Sequence, residues 1–297
     1  AAWIPATVLA YLNETGDLSV LDEVCPYFES DESGTVFDHM YRGIRFLLDN
    51  RGARNMVLWG GGDWNDSINN TGYQQKGESA WLSIATVKAL TEFCRICEIM
   101  GGKEDLIAKT KEEQAVLKAA ILETAFEGDQ FIYGITDWDE KVGSHESYQG
   151  KTYLNAQTWA VLAEMLDEEG LNKIMQTVED KLKCDYGYVQ CAPAYSESDF
   201  HIGRMAYFIP GGYENGSVYN HGCAFKIVAD CLLGRGDEAL KTVNYMLSID
   251  ESFTLTIEPV GKKLDAHYVI GYANVTVEDI GSWIISATAS DMSEVTI

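Results

Sequence analysis

Two stretches decide the fold, namely residues 79–100, SAWLSIATVKALTEFCRICEIM, and residues 103–126, KEDLIAKTKEEQAVLKAAILETAF. In both, apolar residues recur every three or four positions, which is the period of an amphipathic α-helix. Gly101 and Gly102 separate the stretches, and a glycine pair commonly ends a helix. The sequence therefore predicts two antiparallel helices joined by a tight turn.

The same helical hairpin recurs along the chain. Further helices are predicted at Pro5–Asn13, Phe37–Asn50, Asn155–Leu166, Leu171–Leu182, Val218–Leu233, Asp237–Leu247 and Asp279–Ala289. The hairpins begin near residues 79, 155 and 218, with another expected at 279. An α-solenoid is the structural alternative, but its repeats are shorter and more regular. We therefore expect an all-α fold of helical hairpins of the (α/α)-barrel type.

Long segments rich in Gly, Asp, Asn and aromatic residues lie between the hairpins, at residues 59–77, 133–154 and 186–217. Connections of this length in a compact domain usually carry function. We expect a binding site at the end of the barrel where these loops lie. Because no linker or break in composition divides the sequence, residues 1–297 are predicted to form a single domain.

The charge of the chain excludes several partners. It carries 22 Lys and Arg against 46 Asp and Glu, a net charge of −24, which repels nucleic acid and anionic membranes. No apolar run reaches the roughly 18 residues of a membrane span. We expect neither nucleic acid nor membrane as a partner.

The seven cysteines form no recognisable metal site. Cys94 and Cys97 fall inside a predicted helix, and no second pair completes a zinc site. No histidine has the spacing of a metal ligand, and no nucleotide-binding motif is present. We therefore expect no metal and no cofactor, and free thiols that suit a reducing cytoplasm.

The segment at residues 59–67, WGGGDWNDS, is the first candidate for chemistry. Its three glycines let the backbone turn tightly ahead of Asp63, Trp64 and Asp66. A tryptophan beside a carboxylate is typical of a sugar site, and a carboxyl group pressed against an indole has a raised pKa that suits a proton donor. The alternatives are an Asx-rich turn that caps the helix at Ser79 and a cation-binding loop.

A second candidate is residues 210–221, PGGYENGSVYNH. A glycine-rich turn leads here into a helix whose first turns include His221. The backbone N–H groups and the positive end of that helix favour an anion. The alternative is a core histidine beside ordinary turn glycines.

These segments, with residues 77–81, GESAW, and residues 154–161, LNAQTWAV, resemble glycoside hydrolase family 94. This family comprises inverting β-glycoside phosphorylases such as the cellobiose, cellodextrin and chitobiose phosphorylases. The four motifs occur in the family's order. The resemblance implies an (α/α)6 barrel preceded by a β-sandwich domain. It makes this chain the C-terminal part of the catalytic domain, an incomplete barrel without the opening helices.

The resemblance also implies residue roles. Asp66 becomes the general acid, and the phosphate ligands become His221, Ser286 and Ala287. The predicted sugar-binding residues are Trp64, Asp63, Glu214, Asn215 and Gln157. In the family, a phosphate-binding arginine and a donor-site aspartate precede the segment that matches Ala1. His201 and Arg204 are expected either to line the acceptor side or to belong to a solvated loop, and residues 137–139 are expected to form a turn.

The expected reaction is inverting phosphorolysis of a β-linked gluco-oligosaccharide or disaccharide to an α-sugar 1-phosphate, a hexosyl transfer with inorganic phosphate as co-substrate. Phosphate is a charged nucleophile and needs no base, whereas an inverting hydrolase needs two carboxylates. Two alternatives stay open: a hydrolase on the same barrel with Glu214 or another loop carboxylate as base, and a non-catalytic carbohydrate-binding fragment. The family also suggests a homodimer.

Overall fold

A computed structural model describes residues 1–247, 254–270, 273–288 and 294–296, and from residue 247 onward it describes the backbone alone. The chain forms two compact units, Ala1–Val243 and Asn244–Ile297. The sequence-based expectation that residues 1–297 form one domain stays a prediction.

Helices dominate the described residues. The α-helices are α1 Trp3–Thr15, α2 Val36–Asp49, α3 Ala80–Met100, α4 Glu104–Ala125, α5 Leu154–Leu162, α6 Glu168–Leu182, α7 Asn220–Leu232 and α8 Gly236–Leu247. Two short 3-10 helices lie at Leu18–Asp22 and Arg204–Tyr207. In this part of the chain no helix is both long and apolar enough to cross a bilayer.

Local capping explains where the helices begin and end. The hydroxyl of Thr35 accepts the Asp38 N–H at 3.0 Å while the Asp38 carboxylate accepts the Thr35 N–H, a capping box at the start of α2. The Ser79 hydroxyl accepts the Leu82 N–H at 2.9 Å and caps α3, which ends at Gly101. The predicted helices of the first 247 residues are confirmed. The largest error is at α5, which ends four residues early.

The odd-numbered helices α1, α3, α5 and α7 pack side by side and form an inner layer. Helices α2, α4 and α6 pack against this layer from outside. In α5 every residue from Leu154 to Val161 is buried, whereas α4 buries only one face. A helix that is enclosed on all sides, such as α5, buries all its faces, whereas a surface helix such as α4 buries one apolar face. The prediction of barrel-type helical hairpins is confirmed.

Short strands lie in the loops between the helices of the first unit. They are β1 Val24–Pro26, β2 Ser33–Thr35, β3 Glu78–Ser79, β4 Gly134–Ile135, β5 Lys141–Val142, β6 Thr152–Tyr153, β7 Lys183–Cys184, β8 Gly187–Tyr188 and β9 Cys191–Ala192. All pairings are antiparallel: β3 with β4, β4 with β5, β6 with β9, β1 with β2 and β7 with β8. Strands β3 and β6 directly precede α3 and α5. The pairings of β3, β4 and β5 and of β6 and β9 therefore hold these loops at the N-terminal ends of α3 and α5.

The second unit contains strands β10 Thr254–Ile270, β11 Ala273–Thr288 and β12 Glu294–Thr296, paired antiparallel in that order. The predicted helix Asp279–Ala289 is therefore wrong. Its three isoleucines, at residues 280, 284 and 285, follow Val275, Thr276 and Val277, and β-branched residues favour extended backbone. Ser286 and Ala287 lie on β11, opposite Thr256 and Leu255. Their side chains are outside the described part, so their expected phosphate contacts stay a prediction.

Candidate functional site

The two candidate segments meet at the N-terminal end of the inner layer. The Trp64 indole N–H donates a hydrogen bond to Nδ1 of His221 at 3.1 Å, and the two ring centroids are 5.3 Å apart. Tyr219 packs edge-on against the indole at 5.5 Å. His221 is exposed in the first turn of α7. The structure therefore brings the predicted sugar-binding tryptophan next to the predicted phosphate-binding histidine, 157 positions away in sequence.

Asp63 is the most strongly held carboxylate of this site. It accepts hydrogen bonds from the Asn65 N–H at 2.9 Å, the Ser79 hydroxyl at 2.7 Å and the Tyr133 hydroxyl at 3.0 Å. Burial raises the pKa of Asp63 to about 6, and the negative charge of Asp66 adds to the elevation. The three donors act in the opposite direction, because they stabilise the ionised form. Asp63 is thus a loop anchor with a raised pKa.

The anchor connects the loop directly to helix α3. The Ser79 hydroxyl that donates to Asp63 also accepts the Leu82 N–H, so one side chain caps the helix and holds the loop. Tyr133, the second side-chain donor, is fully buried and packs against Tyr153 with ring centroids 4.7 Å apart. The position of the loop at residues 63–66 is therefore fixed by the segments that lead into two inner helices.

Asp66 lies in a different environment from Asp63. Its side chain is exposed, and within residues 1–246 its carboxylate has no hydrogen-bond partner. Its backbone carbonyl accepts a hydrogen bond from Nη2 of Arg204 at 2.7 Å. One loop thus carries an anchored carboxylate at Asp63 and a free carboxylate at Asp66.

Glu214 lies close enough to Tyr133 for its charge to act on that side chain. Burial raises the pKa of Tyr133 well above its usual value, and the charges of Asp63 and, to a smaller extent, Glu214 raise it further. Glu214 is half-buried. An acidic side chain from the second segment therefore lies within electrostatic range of the Asp63–Tyr133 pair.

The surroundings of Asn215 and Gln157 favour a structural role over the expected sugar binding. Asn215 is fully buried, where it donates to the carbonyls of Tyr195 and Phe208 at 2.8 Å each and accepts the Tyr195 N–H at 2.7 Å. Gln157 is also fully buried and pairs with both backbone groups of Phe131 at 2.8 Å. Amides enclosed and paired in this way hold loops in place and have no group left for a sugar.

The segment at residues 199–204 lies beside the loop that carries Asp66. His201 stacks on Trp138 with ring centroids 3.8 Å apart, and its Nδ1 lies 2.6 Å from a Glu140 carboxylate oxygen. His201 and Glu140 line a cleft of about 370 Å³. Arg204 contacts the backbone of Asp66. Arg204 therefore lies beside Asp66, whereas His201 lines the neighbouring cleft, and the role of both at an acceptor stays a prediction.

Asp137 is a residue whose structural role the sequence did not reveal. Its carboxylate accepts the N–H groups of Gln74, Lys76 and Gly77, the last two at 2.9 and 2.7 Å. It therefore orders the loop that leads into β3. The expected turn at residues 137–139 is confirmed, and Asp139 within it has a φ of 64°. No local sequence signal marks the pairing of Asp137 with a loop about 60 positions away.

The cysteines behave as buried or surface thiols. All seven are free, and Cys94 and Cys97 are buried in α3. Burial raises the pKa of Cys97 to about 11, which makes it a poor nucleophile and a poor metal ligand. In the part of the chain that the structure describes, no group of three His, Cys, Asp or Glu side chains is arranged to hold a metal ion.

One solved structure shares the fold of this chain. A rhamnosidase from Klebsiella oxytoca with rhamnose bound superposes with a TM-score of 0.51, at 15% sequence identity, over 82% of this chain and 36% of that protein. At this level of identity the likeness shows the fold alone.

Several curated proteins of related sequence are named as phosphorylases. A solabiose phosphorylase of Paenibacillus borealis is 42% identical over 245 residues, which cover 82% of this chain and 32% of the relative. A cellobionic acid phosphorylase of Neurospora crassa is 35% identical over 246 residues, 82% of this chain and 31% of the relative. The chain therefore spans about a third of the length of these relatives.

A family model described as the catalytic domain of the glycosyl hydrolase 94 superfamily matches residues 1–292. The match includes both loop segments that meet at Trp64 and His221, as well as the helices that hold them. The chain belongs to the glycosyl hydrolase 94 superfamily.

Proposed function

We propose that this chain carries the general acid and part of the phosphate-binding site of a β-glycoside phosphorylase. The reaction is inverting phosphorolysis of a β-linked gluco-disaccharide or gluco-oligosaccharide of the cellobiose type, a hexosyl transfer to inorganic phosphate. The observation that carries the proposal is the hydrogen bond between Trp64 and His221 at 3.1 Å. It joins a sugar-stacking indole to a helix start that favours anions, as a reaction between a sugar and phosphate requires.

Asp66 is the proposed general acid. Its exposed carboxyl group has no competing partner in the described residues, so it is free to reach a glycosidic oxygen. Asp63 has the raised pKa that suits an acid, but three donors occupy its two oxygens. Asp63 is therefore a positioning residue that holds the loop of Asp66, and the free carboxyl performs the proton transfer.

Phosphate is the proposed nucleophile. At a net charge of −24 the protein repels anions at long range, so a phosphate site needs local donors. The start of α7 supplies backbone N–H groups, the positive end of the helix and the His221 ring. Phosphate held there attacks the anomeric carbon while Asp66 protonates the leaving oxygen on the opposite face. The products are an α-sugar 1-phosphate and the shortened sugar.

The relatives support this reaction class. Two of them are named for phosphorolysis of solabiose and of cellobionic acid, which supports a β-glycoside donor. We include a cytoplasmic location in the proposal, supported by seven free thiols. A homodimer is likewise part of the proposal, and it rests on the family alone.

The test is release of sugar 1-phosphate from a panel of β-linked disaccharides, with and without inorganic phosphate. The proposal predicts phosphate-dependent release from at least one member of the panel. Release of free sugar at the same rate without phosphate would instead establish a hydrolase. Saturable sugar binding without any turnover would contradict catalysis by this chain and favour the non-catalytic alternative.

A further inference from the structure

The Trp64–His221 hydrogen bond determines which nitrogen of the histidine carries a proton. An indole N–H can only donate, so the atom that faces it must accept. That atom is Nδ1 of His221, at 3.1 Å. A neutral imidazole holds its single proton on one of its two nitrogens. With Nδ1 as acceptor, the proton lies on Nε2.

We infer that Trp64 is a positioning residue that fixes His221 as the neutral Nε2–H tautomer and thereby supplies the donor for phosphate. The tautomer follows from the geometry alone. The identity of the anion as phosphate rests on the proposed function.

No carboxylate near His221 competes with the indole in determining which ring nitrogen carries the proton. In residues 1–247 no carboxylate lies within ion-pair distance of His221, whereas Nδ1 of His201 lies 2.6 Å from Glu140 and Nε2 of His145 lies 2.6 Å from Asp129. A carboxylate partner requires a proton on the nitrogen that faces it. His201 is therefore expected to carry a proton on Nδ1, whereas His221 carries its proton on Nε2. The two histidines should thus show opposite tautomers in the same spectrum, and His201 serves as an internal reference.

Aromatic packing fixes the ring plane as well. Phe225, one turn further along α7, lies against the His221 ring with centroids 4.7 Å apart. The same phenylalanine contacts the Trp64 indole at 6.1 Å, and Tyr219 packs edge-on against that indole. The imidazole is thus held between the indole and its own helix, and its Nε2–H points away from the indole.

The direct test is nitrogen-15 NMR of the histidine side chains, recorded about two pH units above the usual imidazole pKa of ~6.5. We expect the proton of His221 on Nε2 and a hydrogen-bonded acceptor signal from Nδ1. In Trp64→Phe, which keeps an aromatic ring and removes the N–H, the Nδ1 signal should move to the position of a free acceptor. The matched control Trp138→Phe alters the other tryptophan that contacts a histidine and should leave His221 unchanged.

Two results would overturn the inference. One is a proton on Nδ1 of His221 in the unaltered protein. The other is an Nδ1 signal that does not respond to Trp64→Phe. Neither depends on turnover, so the inference can fail while phosphorolysis stands, and it can hold where phosphorolysis is absent.

The second measurement concerns the anion and uses inorganic phosphate as the probe. Phosphate added to the protein should shift the Nε2 signal of His221. Trp64→Phe should weaken phosphate binding by up to about tenfold, the scale of one lost hydrogen bond between neutral groups. His221→Gln puts an amide N–H near the Nε2 position, whereas His221→Asn puts it near Nδ1. The glutamine variant should therefore retain more phosphate affinity than the asparagine variant. Equal losses, or an Nε2 signal unmoved by phosphate, would contradict the donor role.

Discussion

Asp63→Asn tests the burial of the loop anchor through the pH dependence of stability. The pKa of Asp63 is raised in the folded protein from its usual 3.8 to about 6. The folded state therefore retains a proton that the unfolded state has lost between those two pH values. Stability from this group is fully present below about pH 4 and is lost as pH rises through about 6.

The size of the effect follows from the shift. At ~1.36 kcal/mol for each pKa unit, a rise of roughly two units corresponds to at most about 3 kcal/mol of unfolding free energy. The side chain is half-buried, so solvent reduces that figure. The amide introduced by Asp63→Asn does not titrate. The difference in unfolding free energy between the parent protein and this variant should therefore change by up to about 3 kcal/mol between pH 4 and pH 7. The parent should lose stability relative to the variant as the pH rises.

The assay is guanidinium unfolding at several pH values, followed by tryptophan fluorescence. Two companion variants sharpen it. Tyr133→Phe removes a donor to the carboxylate and should raise the pKa of Asp63 further, whereas Asp66→Asn removes a charge that raises it and should lower it slightly. A free-energy difference between the parent and Asp63→Asn that stays constant across this pH range would refute a raised pKa.

Two further variants test buried polar contacts in α7 and in the loop before it. Lys226, fully buried on α7, pairs with Asp230 at 2.6 Å and with Glu179 at 2.9 Å. Lys226→Met removes this buried cation and leaves Arg235, at 3.3 Å from Asp230 and 3.5 Å from Glu179, as the shared partner of the two carboxylates, so the protein should lose ~3 kcal/mol of unfolding free energy. Denaturant unfolding measures this, with the exposed Lys111→Met as control, and an equal small effect in both would contradict it. Asn215→Ala should cost roughly 3 kcal/mol through three lost buried hydrogen bonds, while the exposed Asn13→Ala should change stability little. A normal stability of Asn215→Ala with only a raised KM for sugar would instead support the sugar-binding role.

The helices could be predicted because their signals are local. Ser79 and Gly101 mark the two ends of α3, and the period of three to four residues needs no tertiary information. At residues 279–289 the sequence predicts a helix where the structure has strand β11 over residues 279–288, because a short apolar stretch fits either period. The early end of α5 depends on Glu164, which takes a left-handed φ of 49°. This conformation is uncommon for residues other than glycine, so the sequence does not predict it at a glutamate.

The site could be predicted only in part. The motifs indicate that residues 63–66 and His221 belong to one site, and the 3.1 Å contact between Trp64 and His221 shows that the two segments meet. They did not reveal how the polar groups pair. In the sequence the amide of Asn215 suits a sugar ligand and a loop support equally well, and only its buried contacts distinguish these roles. Tyr133 lies 70 positions from Asp63, so no local pattern predicts their hydrogen bond.

The central claim, that Asp66 protonates the leaving oxygen during phosphorolysis, is tested most directly with two substrates of different leaving group. Asp66→Asn should reduce phosphate-dependent release of sugar 1-phosphate from a β-linked disaccharide by ~10²–10⁴-fold, the usual contribution of a general acid. A dinitrophenyl β-glucoside releases a weakly basic group that needs no protonation, so its phosphorolysis should be nearly unaffected by the same substitution. Equal losses on both substrates, or no loss on the disaccharide, would contradict Asp66 as the acid.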